Sequence, residues 1–130
     1  MKINLLLVDD DPDAFETFRQ TFQKELQQGD YDIRFAPSGT EALQVLHEYG
    51  PEHPLVLLSD INTPGMTGLE LLAEVKRRWP HLEVIMVTGS EDEENRRRAR
   101  EAGASDVVTK PVDFRHLKDR LKTFVAGDGI

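Results

Sequence analysis

The chain has 130 residues, the size of one ordinary domain. Its 16 Lys and Arg residues against 24 Asp and Glu give a net charge of −8, which argues against binding to nucleic acid or to a membrane surface. There is no cysteine, which excludes disulfides and thiolate chemistry, and the lack of a secretory signal or of an apolar run of about 18 residues predicts a cytoplasmic protein.

Five short segments of the chain have the composition of β-strands. They are Ile3–Val8, Tyr31–Ala36, Leu55–Ser59, Val84–Thr88 and Asp106–Thr109. The first, third and fourth are apolar at successive positions, which is typical of strands covered by helices on both faces. The second mixes polar with apolar residues and is predicted to be an edge strand.

Amphipathic segments after each strand predict five helices. Their start signals are Asp11 before Pro12, Ser38 with Glu41, Thr67 with Glu70, Ser90 with Glu93, and Asp113. The apolar stripes of the first and last helices are Phe15, Phe18, Phe22 and Leu26, and Phe114, Leu117, Leu121 and Phe124. The alternation of strands and helices predicts an α/β fold, a doubly wound (βα)5 parallel sheet with helices on both faces.

Charged and hydroxyl side chains collect at the predicted carboxyl ends of the strands, the edge at which open α/β sheets hold their sites. They are Asp9 and Asp10 after the first strand, Asp60 after the third, Thr88 at the fourth and Lys110 after the fifth. Clustered carboxylates repel one another unless a cation neutralises them. Because oxygen ligands at an open edge suit Mg²⁺, the residues predict a magnesium site here.

Four segments together resemble the receiver domain of two-component response regulators. They are Leu6–Pro12, Leu58–Gly68, Met86–Ser90 and Gly103–Pro111. The resemblance extends from about Lys2 to Val125 and implies a flavodoxin-like sheet with the strand order 2-1-3-4-5. We expect the receiver domain to occupy residues 1–126, with residues 127–130 as a short tail or truncation point.

The resemblance also implies a role for each residue at this edge. Asp60 matches the phosphoacceptor, which takes a phosphoryl group from the phosphohistidine of a sensor histidine kinase or a phosphotransfer protein. Thr88 and Lys110 match the residues that contact the phosphoryl oxygens. The residues that match the Mg²⁺ ligands are Asp9, Asp10, Asp60 and, through its backbone carbonyl, Asn62.

In this family the output surface consists of the fourth helix, the fifth strand and the fifth helix. The fourth helix offers the core only Ala99 and Ala102, so we expect it to move most easily. Many receivers carry an aromatic switch residue at the position of Val107. Because this chain has no aromatic ring there, we expect the fourth helix to transmit most of the response to phosphorylation. The implied partner at this face is a separate protein, an output domain beyond Ile130 or a second copy of the chain. The basic residues predicted on it are Arg96, Arg100, Arg115, Lys118 and Lys122.

Two alternatives use the same residues differently. A phosphohydrolase of the haloacid dehalogenase type also has an Asp nucleophile and Mg²⁺, but it needs a second Asp two residues later, where this chain has Asn62. A receiver-like binding module that is never phosphorylated would not need the whole set of site residues. We therefore expect a protein that catalyses only its own phosphoryl transfer and autodephosphorylation.

Overall fold

The computed structural model describes residues 3–49, 55–61, 66–89, 92–110 and 112–128. Side chains are described as far as residue 48 in the first of these ranges and residue 123 in the last. The strands are β1 (Ile3–Val8), β2 (Tyr31–Ala36), β3 (Leu55–Asp60), β4 (Glu83–Thr88) and β5 (Asp106–Thr109). The helices are α1 (Pro12–Thr21), α2 (Gln23–Gln27), α3 (Gly39–Tyr49), α4 (Gly68–Arg78), α5 (Glu93–Glu101) and α6 (Phe114–Asp128).

The five strands form one parallel sheet in the order β2-β1-β3-β4-β5. This confirms both the predicted order and the edge position of Tyr31–Ala36. In the register, Val8 pairs with Ser59, Asp60 with Val87, and Thr88 with Thr109. The carboxyl ends of four strands therefore meet at one edge of the sheet.

Each face of the sheet has its own hydrophobic core. Leu6 and Val8 of β1 point into a core that contains residues of α3, α4 and α5, whereas Leu5 and Leu7 point into a second core with residues of α1 and α6. The alternation arises because successive side chains of a strand face opposite sides. Helices thus cover both faces, as predicted. In the part of the chain that the structure describes, none of the helices has both the length and the apolarity needed to cross a membrane.

The first predicted helix is divided in the structure, which corrects the expectation of one uninterrupted helix. It ends at Thr21, and α2 begins two residues later, with Phe22 between them at φ −99° and ψ 15°. Phe22 is completely buried, and its ring lies 5.2 Å from that of Tyr31 and 6.5 Å from that of Phe114. We infer that these contacts with distant elements determine the backbone conformation at Phe22. The local periodicity of apolar residues carries no information about such contacts.

Four of the predicted helix starts are confirmed, and at one of them the Ser38 Oγ accepts a hydrogen bond from the Glu41 N–H at 3.2 Å. The Asp11 side chain accepts a hydrogen bond from the Asp13 N–H at 2.9 Å, and Asp113 accepts from two N–H groups in the first turn of α6. Thr67 and Glu70 form both hydrogen bonds of a capping box. These bonds satisfy N–H groups that have no partner inside the helix.

The start and the anchoring of α5 differ from the prediction. Its N-cap is Asp92, whose side chain accepts from the Asn95 N–H, whereas Ser90 lies outside the described residues. Ala99 is fully buried but Ala102 is exposed, which corrects its assignment to the core. Within Glu93–Glu101, Ala99 is the one buried residue, so α5 contributes even less apolar surface to the core than expected.

Candidate functional site

Backbone hydrogen bonds hold the ends of three strands, β3, β4 and β5, together at the edge where the predicted site lies. The Lys110 N–H donates to the Thr88 carbonyl at 2.9 Å, and the Ile61 N–H donates to the Val87 carbonyl at 3.0 Å. These bonds continue the sheet pairing one residue beyond β5 and β3. As a result, the backbone that carries the side chains of Asp60, Thr88 and Lys110 is held in place by the sheet.

A charge pair joins the third and fifth strands at this edge. The Lys110 Nζ donates a hydrogen bond to Asp60 Oδ2 at 2.5 Å. The Asp60 side chain is only 7% exposed, whereas that of Lys110 is 52% exposed. The hydrogen bond to Asp60 raises the pKa of Lys110, while partial burial works against it. Lys110 therefore stays positively charged beside the buried carboxylate.

Asp9 brings further negative charge to the same edge. Its side chain accepts a hydrogen bond from the Asp11 N–H at 2.9 Å. Burial is the largest cause that raises the pKa of the Asp9 carboxyl, and the charges of Asp60 and Asp10 raise it further. The Asp11 N–H and Lys110 act in the opposite direction without cancelling the rise. Asp60 and Asp10 are thus both close enough to repel the Asp9 carboxylate.

The donor set can be tested against Mg²⁺, the ion that the sequence predicts at this edge. Within the described ranges, no group of three or more Asp, Glu or His side chains is arranged so that it could hold a metal ion. Mg²⁺ does not require one, because it keeps several waters and takes only one or two carboxylates. Exposed Asp10, half-buried Asp9 and buried Asp60 offer more carboxylates than Mg²⁺ needs, so one of them could act through a bound water, and the repulsion of Asp9 by the other two favours a cation. Asn62 lies outside the described residues.

Thr88 carries a hydroxyl group whose hydrogen bonding is incomplete. The residue is fully buried, and its Oγ1 has no hydrogen-bond partner among the residues that the structure describes. A buried polar atom without a partner costs about 1–3 kcal/mol. Thr88 follows Val87, which pairs in register with Asp60, so this costly hydroxyl lies on the strand next to the carboxylate.

Gly68 is a residue of this region to which the sequence analysis assigned no role. It is the first residue of α4, and a Cβ atom built on it would lie 2.4 Å from the Asp60 carbonyl oxygen and 2.6 Å from the Ile61 Cα. Only glycine permits this approach of the helix to the strand end. A glycine directly after the Thr67 cap was the available signal, but the contact that requires it is tertiary.

The predicted site residues separate into three groups in the structure. Asp9, Asp10, Asp60 and Lys110 line one cleft of about 530 Å³. Thr88 is not among the residues that line this cleft, in agreement with its complete burial. Asn62, predicted to offer its backbone carbonyl, lies outside the described residues. Of the six predicted site residues, the structure therefore places four around one cleft.

This edge and fold agree with a known family. A family model for the response regulator receiver domain matches residues 5–122, and the chain belongs to that family. This membership confirms the resemblance drawn from the four sequence segments. Receiver domains act in two-component signalling, are not classical enzymes, and interact with histidine kinases or phosphotransfer proteins.

Solved structures of receiver domains are similar along nearly the whole chain. A response regulator receiver domain protein from Clostridium thermocellum is 24% identical with a TM-score of 0.85, over 98% of this chain and 97% of that chain. The receiver domain of NtrX from Brucella abortus is 27% identical with a TM-score of 0.81, over 94% and 98%. The co-crystal structure of the Saccharomyces cerevisiae histidine phosphotransfer protein Ypd1 with the receiver domain of Ssk1 matches at 20% identity and a TM-score of 0.83, over 99% and 92%.

Proposed function

We propose that this chain is a phosphorylatable receiver in a two-component phosphorelay and that Asp60 is its phosphoacceptor. The observation that carries the proposal is the buried Asp60 carboxylate with the Lys110 ammonium 2.5 Å away at the edge of the sheet. The donor is the phosphohistidine of a sensor histidine kinase or of a phosphotransfer protein. The crystallised pair of Ypd1 and the Ssk1 receiver is an example of such a partnership in a protein of the same fold.

The reaction needs a nucleophile and a set of groups that receive negative charge. An Asp60 carboxylate oxygen attacks the phosphorus, a P–O bond forms, the P–N bond to the histidine breaks, and its electron pair returns to the imidazole nitrogen. Charge spreads over the phosphoryl oxygens during transfer, so positioning and neutralisation are the main tasks of the protein. In the proposal, Lys110 neutralises one oxygen and the Thr88 hydroxyl donates to another.

Mg²⁺ is the proposed cofactor, held by the side chains of Asp9, Asp10 and Asp60 and by the backbone carbonyl of Asn62. When bound, the ion supplies positive charge to the phosphoryl oxygens. Asp9 and Asp10 also hold negative charge at the edge of the cleft, which disfavours the approach of an anionic donor in the metal-free protein. Their charge is therefore expected to make phosphorylation dependent on the divalent cation.

The proposed output surface consists of α5, β5 and α6, which correspond to the predicted fourth helix, fifth strand and fifth helix because α2 is counted separately. The expected basic character of this surface needs one correction. Lys118 turns toward the other side of α6, where its Nζ lies 2.8 Å from Glu25 and donates to the Thr21 carbonyl at 3.2 Å. We place the receiver at residues 1–126 in the cytoplasm, with a partner protein, an appended output domain or a second copy at this surface.

Intact-mass spectrometry after incubation with Mg²⁺ and acetyl phosphate tests the proposal. The wild type should gain the mass of one phosphoryl group, and Asp60→Asn should gain none, because an amide is a poor nucleophile. Asp119→Asn, on the exposed side of α6 and not among the residues that line the cleft, is the matched control and should be labelled like the wild type. Full labelling of Asp60→Asn would contradict the assignment.

The same samples separate the two alternatives. A phosphohydrolase would turn over a small aryl phosphate repeatedly, whereas the receiver should release at most the phosphoryl group that it carries. The acid that a phosphohydrolase needs two residues after the nucleophile is replaced by Asn62. A binding module that is never phosphorylated would show no mass gain in the wild type under any of these conditions.

A further inference from the structure

The strand β2 forms an open edge of the sheet. β1 lies on one side of it, and among the described residues no strand lies on the other. Proteins protect such edges from pairing with another chain by prolines, by bulges or by charged side chains. β2 contains no proline, and all six of its residues pair with β1 in continuous register. Any protection of this edge therefore depends on its two charged residues, Asp32 and Arg34.

The backbone groups on the open side of β2 belong to alternate residues. The Ile3 N–H donates to the Asp30 carbonyl at 2.8 Å, and the Asp9 N–H donates to the Ala36 carbonyl at 3.1 Å. Even-numbered residues of this segment therefore direct their backbone groups toward β1. Because the direction of these groups alternates along a strand, the odd-numbered residues of β2 direct their N–H and carbonyl groups toward the open side.

The side chains of β2 divide between the two faces of the sheet, as the pleat of a strand requires. Tyr31, Ile33 and Phe35 lie on the face that α1 covers, and of these Ile33 and Phe35 are only half-buried. Asp32 and Arg34 lie on the other face, where their side chains are 39% and 46% exposed and form an ion pair at 3.8 Å. Opposite charges thus lie two residues apart on one face, and an apolar row lies on the other.

We propose that β2 pairs in antiparallel orientation with β2 of a second copy of this chain, about a two-fold axis at Ile33. In that register Ile33 lies opposite itself and Tyr31 lies opposite Phe35, so the outward backbone groups of all three form hydrogen-bonded pairs. Asp32 lies opposite Arg34 of the second copy in a non-hydrogen-bonded pair, where side chains come closest because the Cα atoms are about 4.5 Å apart. The apolar row continues across the axis, and two intermolecular ion pairs form on the opposite face.

The charges of β2 select this register over its neighbours. The two adjacent two-fold registers that also pair the outward backbone groups are centred on Asp32 and on Arg34. The first places two aspartates opposite each other and the second two arginines, and like charges in such positions are destabilising. A strand pair of six residues buries little surface, so we expect a weak dimer that depends on concentration. Since β5 is the opposite edge of the sheet, the dimer leaves the proposed output surface of each copy free.

Sedimentation equilibrium of the unphosphorylated full chain measures the dissociation constant of the dimer, and two charge variants test its register. Asp32→Arg leaves only positive charges on the strand, and Arg34→Asp leaves only negative ones. Each variant alone should have a dissociation constant about tenfold higher than the wild type, because both intermolecular pairs become repulsive. An equimolar mixture of the two should regain the wild-type value, since each strand then meets charges of opposite sign. Glu74→Arg and Arg77→Asp make the same changes of charge on α4 and should associate like the wild type, alone or mixed.

Amide exchange measured by NMR on the wild type provides a second test that needs no variant. When the protein concentration is raised, the amides of Ile33 and Phe35 should exchange more slowly, whereas those of Asp32 and Arg34, which face β1, should not change. A wild type that stays monomeric, a mixture that does not associate, or single variants that dimerise like the wild type would each overturn the proposal. Protection confined to α5 and α6 would overturn it as well, because the copies would then meet at the other edge. The phosphorylation of Asp60 is tested independently of all these outcomes.

Discussion

Lys110 and Asp60 lie 50 positions apart in the sequence, yet the Lys110 Nζ is 2.5 Å from Asp60 Oδ2. The two partners differ in environment, since the carboxylate is buried and the ammonium is half exposed. In a pair of this kind, loss of the cation is more damaging than loss of the anion, because the buried group keeps the cost of its burial. The same geometry serves the proposed reaction, in which an ammonium must already be beside the nucleophile.

The first prediction concerns the strength of this pair. Lys110→Met should lower the free energy of unfolding by about 1 kcal/mol, a figure reduced for the exposure of the ammonium. In an Asp60→Asn background the same substitution should cost little, because the amide carries no charge. Urea titrations of the four proteins give the coupling energy. A coupling energy of zero would show that the contact contributes nothing to stability.

The same cycle has a defined pH dependence. The contact with Asp60 raises the pKa of Lys110 above its ordinary value of 10.5. A group whose pKa is raised by folding contributes stability that is fully present below the unfolded value and is lost as the pH rises through the folded value. The coupling energy should therefore be constant between pH 7 and 9 and decrease only above pH 10.5. A decrease that starts near neutral pH would contradict this explanation.

The second prediction sets stability against function at Thr88. Thr88→Val keeps the shape and removes a buried hydroxyl that has no partner among the described residues, so the free energy of unfolding should rise by about 1 kcal/mol. Phosphorylation from acetyl phosphate should nevertheless become slower, because a donor to the phosphoryl oxygens is lost. Ser59→Ala is the matched control: its buried hydroxyl donates to the Asp60 carbonyl at 3.1 Å, and its loss should destabilise. Both substitutions acting in the same direction on stability would refute the prediction.

The third prediction uses the raised pKa of Asp9. Because burial and the charges of Asp60 and Asp10 raise it above 3.8, ionisation of Asp9 costs stability as the pH rises through the folded value. Asp9→Asn retains an acceptor for the Asp11 N–H and should stabilise the metal-free protein at pH 7 by at most about 1 kcal/mol. The gain should vanish below pH 3.8.

With Mg²⁺ bound, the wild type rather than Asp9→Asn should be the more stable protein. Thermal unfolding with and without the ion should show a smaller Mg²⁺-dependent stabilisation in Asp9→Asn than in the wild type, because a metal ligand is missing. Asp119→Asn, on the exposed side of α6, should behave like the wild type in both conditions. Equal stabilisation of all three proteins by Mg²⁺ would exclude Asp9 as a ligand.

The fourth prediction locates the conformational response. Among its described residues α5 buries only Ala99, whereas α6 buries Leu117 and Leu121 completely. Two ion pairs fasten α6 further, Lys118 with Glu25 at 2.8 Å and Arg120 with Asp106 at 2.9 Å. With beryllofluoride and Mg²⁺ as a mimic of the phosphoryl group, amide hydrogen exchange should change more in α5 than in α6.

The control for this measurement is Asp60→Asn, which should show no response to beryllofluoride. Changes confined to the loops that carry Asp9, Asp60 and Lys110 would contradict a role of α5 in the output. Larger changes in α6 than in α5 would contradict it as well. They would show that the buried leucines and ion pairs of α6 do not hold it in place.

The sequence was sufficient for features that depend on local patterns and on strand order. The buried strands could be recognised in the sequence as continuous apolar runs. Because the carboxyl ends of parallel strands meet at one edge of the sheet, the grouping of Asp9, Asp10, Asp60 and Lys110 followed from the topology. The Thr67–Glu70 capping box could be found because all its partners lie within four residues.

Features that depend on contacts between distant segments could not be predicted in the same way. The division of the first helix depends on Phe22 meeting Tyr31 and Phe114, and the direction of Lys118 depends on Glu25 lying on a neighbouring helix. The need for glycine at position 68 arises from the Asp60 carbonyl, which only the folded sheet brings close. The cleft beside Asp60 is also assembled from separate elements.

The central claim, that Asp60 carries the phosphoryl group, is tested most directly by locating the modification. Borohydride reduces an aspartyl phosphate to an alcohol, which converts the modified Asp to homoserine, and peptide mass spectrometry then identifies its position. After incubation with Mg²⁺ and acetyl phosphate, we expect homoserine at position 60 and intact Asp at positions 9, 10 and 11. Homoserine at any of those three positions, or none at position 60 in a protein that has gained the phosphoryl mass, would contradict the account.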